Sequence, residues 1–99
     1  MYYVTVMYPN REGVRFDFDY YMSKHIPMVS RLLSTTIEVN KGVTTPTEAP
    51  PAFLCTARIR VASLDEYRAA IAQHGAQIIG DIPNYTDVQP TVQIDEIIS

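Results

Sequence analysis

An α+β domain with elements in the order βαββαβ is the fold this sequence predicts. Three observations carry that prediction. Four runs are rich in β-branched and aromatic residues, two stretches between them have a helical period, and 99 residues leave room for a single core, so one domain spans 1–99. This is the ferredoxin-like arrangement, a four-stranded antiparallel sheet with two helices on one face.

The first strand runs from Tyr2 to Tyr8 and leaves through the turn cluster Pro9 to Gly13. Asp17 is an N-cap for the first helix, with Phe16 and Tyr21 spaced as a hydrophobic staple. Apolar residues then recur at Phe18, Tyr21, Met22, Met28, Val29, Leu32 and Leu33, interrupted by Pro27. Proline removes a donor and collides with the carbonyl four residues back, so the helix must kink or restart there. Thr35 to Lys41 alternates as a second strand, and the Thr- and Pro-rich segment from Gly42 to Pro51 is a loop. A third strand spans about Ala52 to Ala62. It places Phe53, Cys55, Ala57, Ile59 and Val61 on one face, and Leu54, Thr56, Arg58 and Arg60 on the other. Ser63 and Glu66 form a capping box opening a second helix with the stripe Leu64, Tyr67, Ile71, His74 and Ile78, stopped by Gly80 and Pro83. A last strand lies near Val88 to Ile98, where Pro90 points to an edge position or a bulge.

Composition narrows the function classes. The net charge is -3, and the Lys and Arg residues are scattered, so no basic stripe exists for nucleic acid or an anionic membrane surface. No run approaches the roughly 20 apolar residues of a membrane-spanning helix. The one cysteine, Cys55, cannot form an internal disulfide, and the first residues lack a signal pattern, which together read as cytoplasmic.

The fold leaves one sheet face bare. Tyr3, Thr5, Met7, Leu54, Thr56, Thr91, Gln93 and Ile97 are expected there, with Arg58, Arg60 and Asp95 among them. That mixture is apolar for a solvated surface and polar for a dry core, so a homodimer packed sheet to sheet is expected, enclosing a lined cavity. A monomer with an amphipathic face is the alternative.

No metal-ligand spacing, phosphate loop or serine-hydrolase elbow is present, so neither metal nor cofactor is expected. His25 lies on the inward stripe two residues before Pro27, where a helix break opens a crevice for a titrating imidazole. Its bland alternative is a core histidine bonded to a loosened carbonyl. His74 lies on the other helix's stripe, so the two imidazoles could meet. Tyr20, Tyr21 and Tyr85 are candidates for the crevice wall, against ordinary packing. Cys55 reads as a buried apolar residue rather than a nucleophile.

Two elements bring these residues into one pattern: Tyr20-Tyr21-x-x-Lys24-His25-x-Pro27, and the run Asp81-Ile82-Pro83-Asn84-Tyr85-Thr86. With Tyr8-Pro9-Asn10 and the run Val92 to Glu96, the chain resembles the EthD-like family over nearly its whole length. The resemblance implies a dimeric α/β barrel, in a superfamily that includes cofactor-free monooxygenases, cyclases, isomerases and lyases. Position by position, Lys24, His25, Pro27, Asn84 and Tyr85 match its motif residues. Relatives commonly carry a Gly-rich turn after the first helix, whereas the segment Ser34 to Ile37 here has no glycine. The leading expectation is a cofactor-independent enzyme acting on a small apolar or aromatic metabolite. In it, His25 and His74 are the catalytic candidates, and Tyr21, Lys24, Asn84, Tyr85 and Arg58 the ligand-binding candidates. The alternatives are a non-catalytic accessory protein that binds a hydrophobic molecule and a scaffold with a filled barrel.

Overall fold

Strand alternation sorts the side chains before any helix packs on them. In the computed structural model, which describes residues 1–99, β1 is Tyr2–Pro9, β2 Ile37–Lys41, β3 Phe53–Val61 and β4 Thr91–Glu96. They form one antiparallel sheet in the order β2-β3-β1-β4. A first helix over 18–33 follows β1, and a second, Leu64–Gly80, follows β3, so the observed order is βαββαβ. Pro90 sits just before β4, at the sheet edge, where its missing donor breaks no ladder.

Register sets the two faces. Val4 pairs with Ile59 and with Ile94, Val6 with Ala57 and Val92, and Tyr8 with Cys55. Val4, Cys55, Ala57 and Ile59 are buried under the helices. Burying Val4 and Ile59 stabilises the fold by roughly 1.5–3 kcal/mol each. On the other face Tyr3, Thr5, Met7 and Thr56 are half-exposed and Arg58 is exposed. Thr5 donates to Asp95 at 2.6 Å, and the Arg58 guanidinium lies 5.8 Å from the Tyr3 ring centre. Leu54 departs from the expected alternation. The register slips between Tyr8 and Pro9, so Leu54 has no partner in the β1 ladder and is buried with Tyr8 and Tyr85 instead of joining the open face. Ile97 also leaves that face, falling beyond β4 with its N–H bonded to the Met1 carbonyl.

Both helix entries follow their sequence signals. Asp17 accepts from the Tyr20 N–H at 3.0 Å, and Ser63 from the Glu66 N–H at 3.2 Å. At Pro27 the first helix restarts, as its sequence requires. The turn before it widens: residues Tyr21–His25 are π-helical, and the Ile26 N–H reaches back to the Tyr21 carbonyl. The α-helix resumes as Ile26–Leu33 with Pro27 in its first turn, where the missing N–H costs little. The inserted residue changes the phase. Tyr21, His25 and Val29 are buried, while Met22, expected inward, is 47% exposed.

The helix ends at Ser34, in the left-handed conformation with φ 53° and its N–H on the Ser30 carbonyl. This is the cap position that glycine commonly fills. The serine bears that conformation while the turn is clamped by Thr35 N–H to the Ser30 carbonyl and Thr35 Oγ1 to the Arg60 carbonyl. Gly42, after β2, has a different reason to be glycine: a Cβ there would fall 2.1 Å from the Phe53 carbonyl oxygen.

Candidate functional site

Two loops meet at one end of the sheet, and their backbone bonds place the chemistry. Phe16 bridges Thr86, the Asp17 N–H donates to the Tyr85 carbonyl at 2.7 Å, and the Thr86 hydroxyl donates to the Arg15 carbonyl at 2.7 Å. The Arg15 guanidinium donates to the Pro83 carbonyl at 2.7 Å. Beyond the second helix, the 3-10 turn Ile82–Asn84 folds the chain so that the Tyr85 and Thr86 N–H groups both return to the Ile82 carbonyl. Asp81 and Tyr85 are thereby carried against the π-helical turn that holds His25.

His25 is 4% exposed and bonded through both ring nitrogens. Nδ1 is 2.8 Å from Asp81 Oδ2, and Nε2 is 3.3 Å from the Tyr85 hydroxyl. Tyr85 lies 2.7 Å from the Tyr8 hydroxyl. The other Asp81 oxygen accepts from the Tyr20 hydroxyl at 2.6 Å and from Asn84 Nδ2 at 2.9 Å. The Tyr21 ring stacks on the imidazole at 5.5 Å between centres, and the Tyr8, Phe16, Tyr21 and Tyr85 rings pack mostly edge to face.

The partners assign the protons. Burial would raise the Asp81 pKa, but hydrogen bonds from Tyr20, Asn84 and His25 outweigh it and hold the carboxyl below its usual 3.8. Burial pushes His25 below 6.5, and the Asp81 carboxylate recovers only part of that. At neutral pH the pair is therefore a carboxylate beside a neutral imidazole. A carboxylate only accepts, so Nδ1 carries the hydrogen and Nε2 is bare. Tyr85 then donates to Nε2 and accepts from Tyr8. Burial raises both phenols, which keeps them protonated. A proton arriving at the Tyr8 end has a continuous route through Tyr85 to Nε2, and the imidazolium formed would sit against a carboxylate.

Beside this network lies a cavity of about 180 Å³ between sheet and helices. Tyr8, Tyr21, His25 and Tyr67 are its lining residues with polar side-chain groups, aliphatic residues such as Val6, Val29, Ile71 and Ile78 make up most of the rest, and no Lys, Arg, Asp or Glu is among them. Exposed Ile79 and Val92 stand at its rim. A more open cleft of about 380 Å³ at the opposite end is lined by Thr35, Arg60 and Glu66 among others, and holds no histidine.

Of the sequence candidates, His25, Tyr21, Tyr85 and Asn84 are brought together. Tyr85 lies behind the cavity wall, bridging His25 and Tyr8, and Asn84 reaches the network only through Asp81 and Tyr20. His74 is not brought to His25: it makes no side-chain hydrogen bond and lines no cavity, because the second helix turns Gly75 inward at that level. Lys24 is exposed on the π-helical turn, and Arg58 lies on the open sheet face, away from the cavity. Cys55 is buried, and its thiol is pushed up to about 11, so it is no nucleophile at neutral pH. Asp81 and Tyr8 were not singled out by sequence reasoning. The signal for each was its place in a motif, Asp81 at the head of the Asp81-to-Thr86 run and Tyr8 at the head of Tyr8-Pro9-Asn10. No group of three or more His, Cys, Asp or Glu is placed to hold a metal ion, and no helix is long and apolar enough to cross a membrane.

Comparison with solved structures finds two similar chains. An EthD-like protein from Ralstonia eutropha is 42% identical, with a TM-score of 0.93 over 99% of this chain and 92% of its own. An ethyl tert-butyl ether D (EthD) family protein from Bacillus halodurans is 17% identical, with a TM-score of 0.72 over 99% of both chains, a likeness of fold. No family model and no curated protein matches the chain.

Proposed function

The chain belongs to the EthD-like family, and on that premise we propose that it is a cofactor-independent enzyme that moves a proton on a small, neutral, largely apolar molecule. One observation carries the reading: the Asp81–His25 pair stands at the wall of a cavity whose lining holds no charged side chain. Burying an unpaired carboxylate or phosphate there would cost several kcal/mol, so anionic substrates are disfavoured. At about 180 Å³ the space suits one ring with a small substituent. The compound in the family's name, ethyl tert-butyl ether, is itself small, neutral and apolar.

In this reading His25 accepts the proton, Asp81 stabilises the resulting imidazolium, Tyr8 and Tyr85 relay, and Tyr21 forms the aromatic wall. Asn84 acts through Asp81. Burial between sheet and helices orients the molecule, which supplies part of what one imidazole cannot. The test is deuterium uptake, followed by NMR, from D2O into cyclic ketones, lactones and phenols of one-ring size. The expected result is enzyme-dependent exchange at an acidic position of a compound that also binds. Binding without exchange across the panel would leave an accessory carrier instead of an enzyme.

We also infer a homodimer through the open sheet face, with Tyr3, Met7 and Arg58 at the contact. Only 13 of 99 residues are buried in the single chain, and Tyr3 and Met7 stand half-exposed on that face among Thr5, Thr56, Arg58 and Asp95. Sedimentation should give twice the chain mass, and Met7→Asp, centred on β1, should give monomers. A monomeric wild-type protein at tens of micromolar would contradict this.

A further inference from the structure

Gly75 lies in the interior of the second helix, Leu64–Gly80, where glycine is the least favourable residue after proline. Nothing in its backbone requires it, since its φ is not positive. It is also the only buried residue of that helix, and it lines the cavity beside Ile71 and Ile78. A Cβ built there meets one neighbour within 4 Å, the Ile71 Cγ2 methyl at 3.2 Å, which must give by a few tenths of an ångström. The sheet, the first helix and the His25 network all lie farther off. What a side chain at this position would occupy is the cavity itself.

We propose that Gly75 is the size-determining residue of the cavity, kept as glycine to admit a substituent on a ring-sized neutral ligand. The inference rests on the cavity being the ligand site. The space is about 180 Å³, and about 150 Å³ of apolar cavity is enough for benzene. One added methyl removes about 30 Å³, near a water's share of liquid volume, so Gly75→Ala leaves room for the bare ring alone.

The test uses the intact chain and calorimetric titration with benzene, toluene and p-xylene as probes. Wild type should bind toluene more tightly than benzene, by about fourfold for the extra buried carbon. Gly75→Ala should keep benzene affinity within about threefold and lose at least tenfold on toluene and p-xylene. Ala76→Gly, on the exposed neighbouring position, should leave the toluene-to-benzene ratio unchanged. The same ratio in wild type and Gly75→Ala, or an equal loss on every probe, would overturn the size role while leaving the cavity as the binding site. A wild-type protein that binds none of the three would overturn both.

Discussion

His25→Ala is expected to lower turnover about 10²–10⁴-fold while the chain stays folded. The variant removes the proton acceptor, but Asp81 keeps its bonds from Tyr20 and Asn84 and is not stranded. The Tyr8–Tyr85 bond also survives, so the loops at this end of the sheet should hold. The check is the deuterium-exchange rate of the best panel compound, with circular dichroism and sedimentation for the fold. An unchanged rate would remove His25 from the mechanism. In the wild type, the acid limb of kcat/KM should lie below pH 6.5, because burial lowers the imidazole pKa. The same shift acts on stability. The unfolded chain binds the proton more readily, so stability is full above about 6.5 and is lost as pH falls toward the lower folded value. Asp81, also lowered, adds a second loss below 3.8 with the same sign.

Tyr21→Ala should cost about 3–5 kcal/mol, the range for truncating a buried aromatic residue. The ring is 1% exposed and packs against Tyr8, Phe16, His25 and Tyr85, so its loss opens the junction between β1, the first helix and the 81–88 loop. For a chain of this length the thermal midpoint should fall by about 15–25 °C. Tyr21→Phe keeps the ring and should cost no more than about 1.5 kcal/mol. Calorimetry of both variants separates ring from hydroxyl. A Tyr21→Ala loss under about 1 kcal/mol would mean the aromatic cluster does not hold the site together.

Local signals in the sequence were enough for the architecture. Strand alternation placed Val4, Ala57 and Ile59 on the helix face, the caps at Asp17 and Ser63 were readable, and Pro90 marked an edge strand. The departures have local causes as well. Periodicity assumes one residue per step of an α-helix, so it did not reveal the wider turn at Tyr21–His25, which keeps Tyr21, His25 and Val29 in one line and turns Met22 out. On the second helix Tyr67, Ile71, His74 and Ile78 satisfy a three-four spacing as well as Tyr67, Ile71, Gly75 and Ile78 do. A hydrophobicity pattern cannot award an inward position to a residue without a side chain. Asp81 was missed for another reason: it lies 56 residues from His25, in a turn between two helix stoppers. The pairing of the loops around Phe16 and Thr86 closes that distance. Long-range hydrogen bonds have no periodic trace.

The proposed function rests on a neutral His25 whose Nδ1 hydrogen is held by Asp81 and whose unprotonated Nε2 accepts from the Tyr85 hydroxyl and takes a proton through it. Imidazole 15N chemical shifts of the uniformly labelled protein, followed through a pH titration, read this without any substrate. At neutral pH the His25 ring should show a protonated Nδ1 and an unprotonated Nε2, with one titration midpoint below 6.5. Asp81→Asn should lower that midpoint further, since the carboxylate supports the imidazolium. An imidazolium or a protonated Nε2 at neutral pH, or a midpoint above 6.5, would contradict the account.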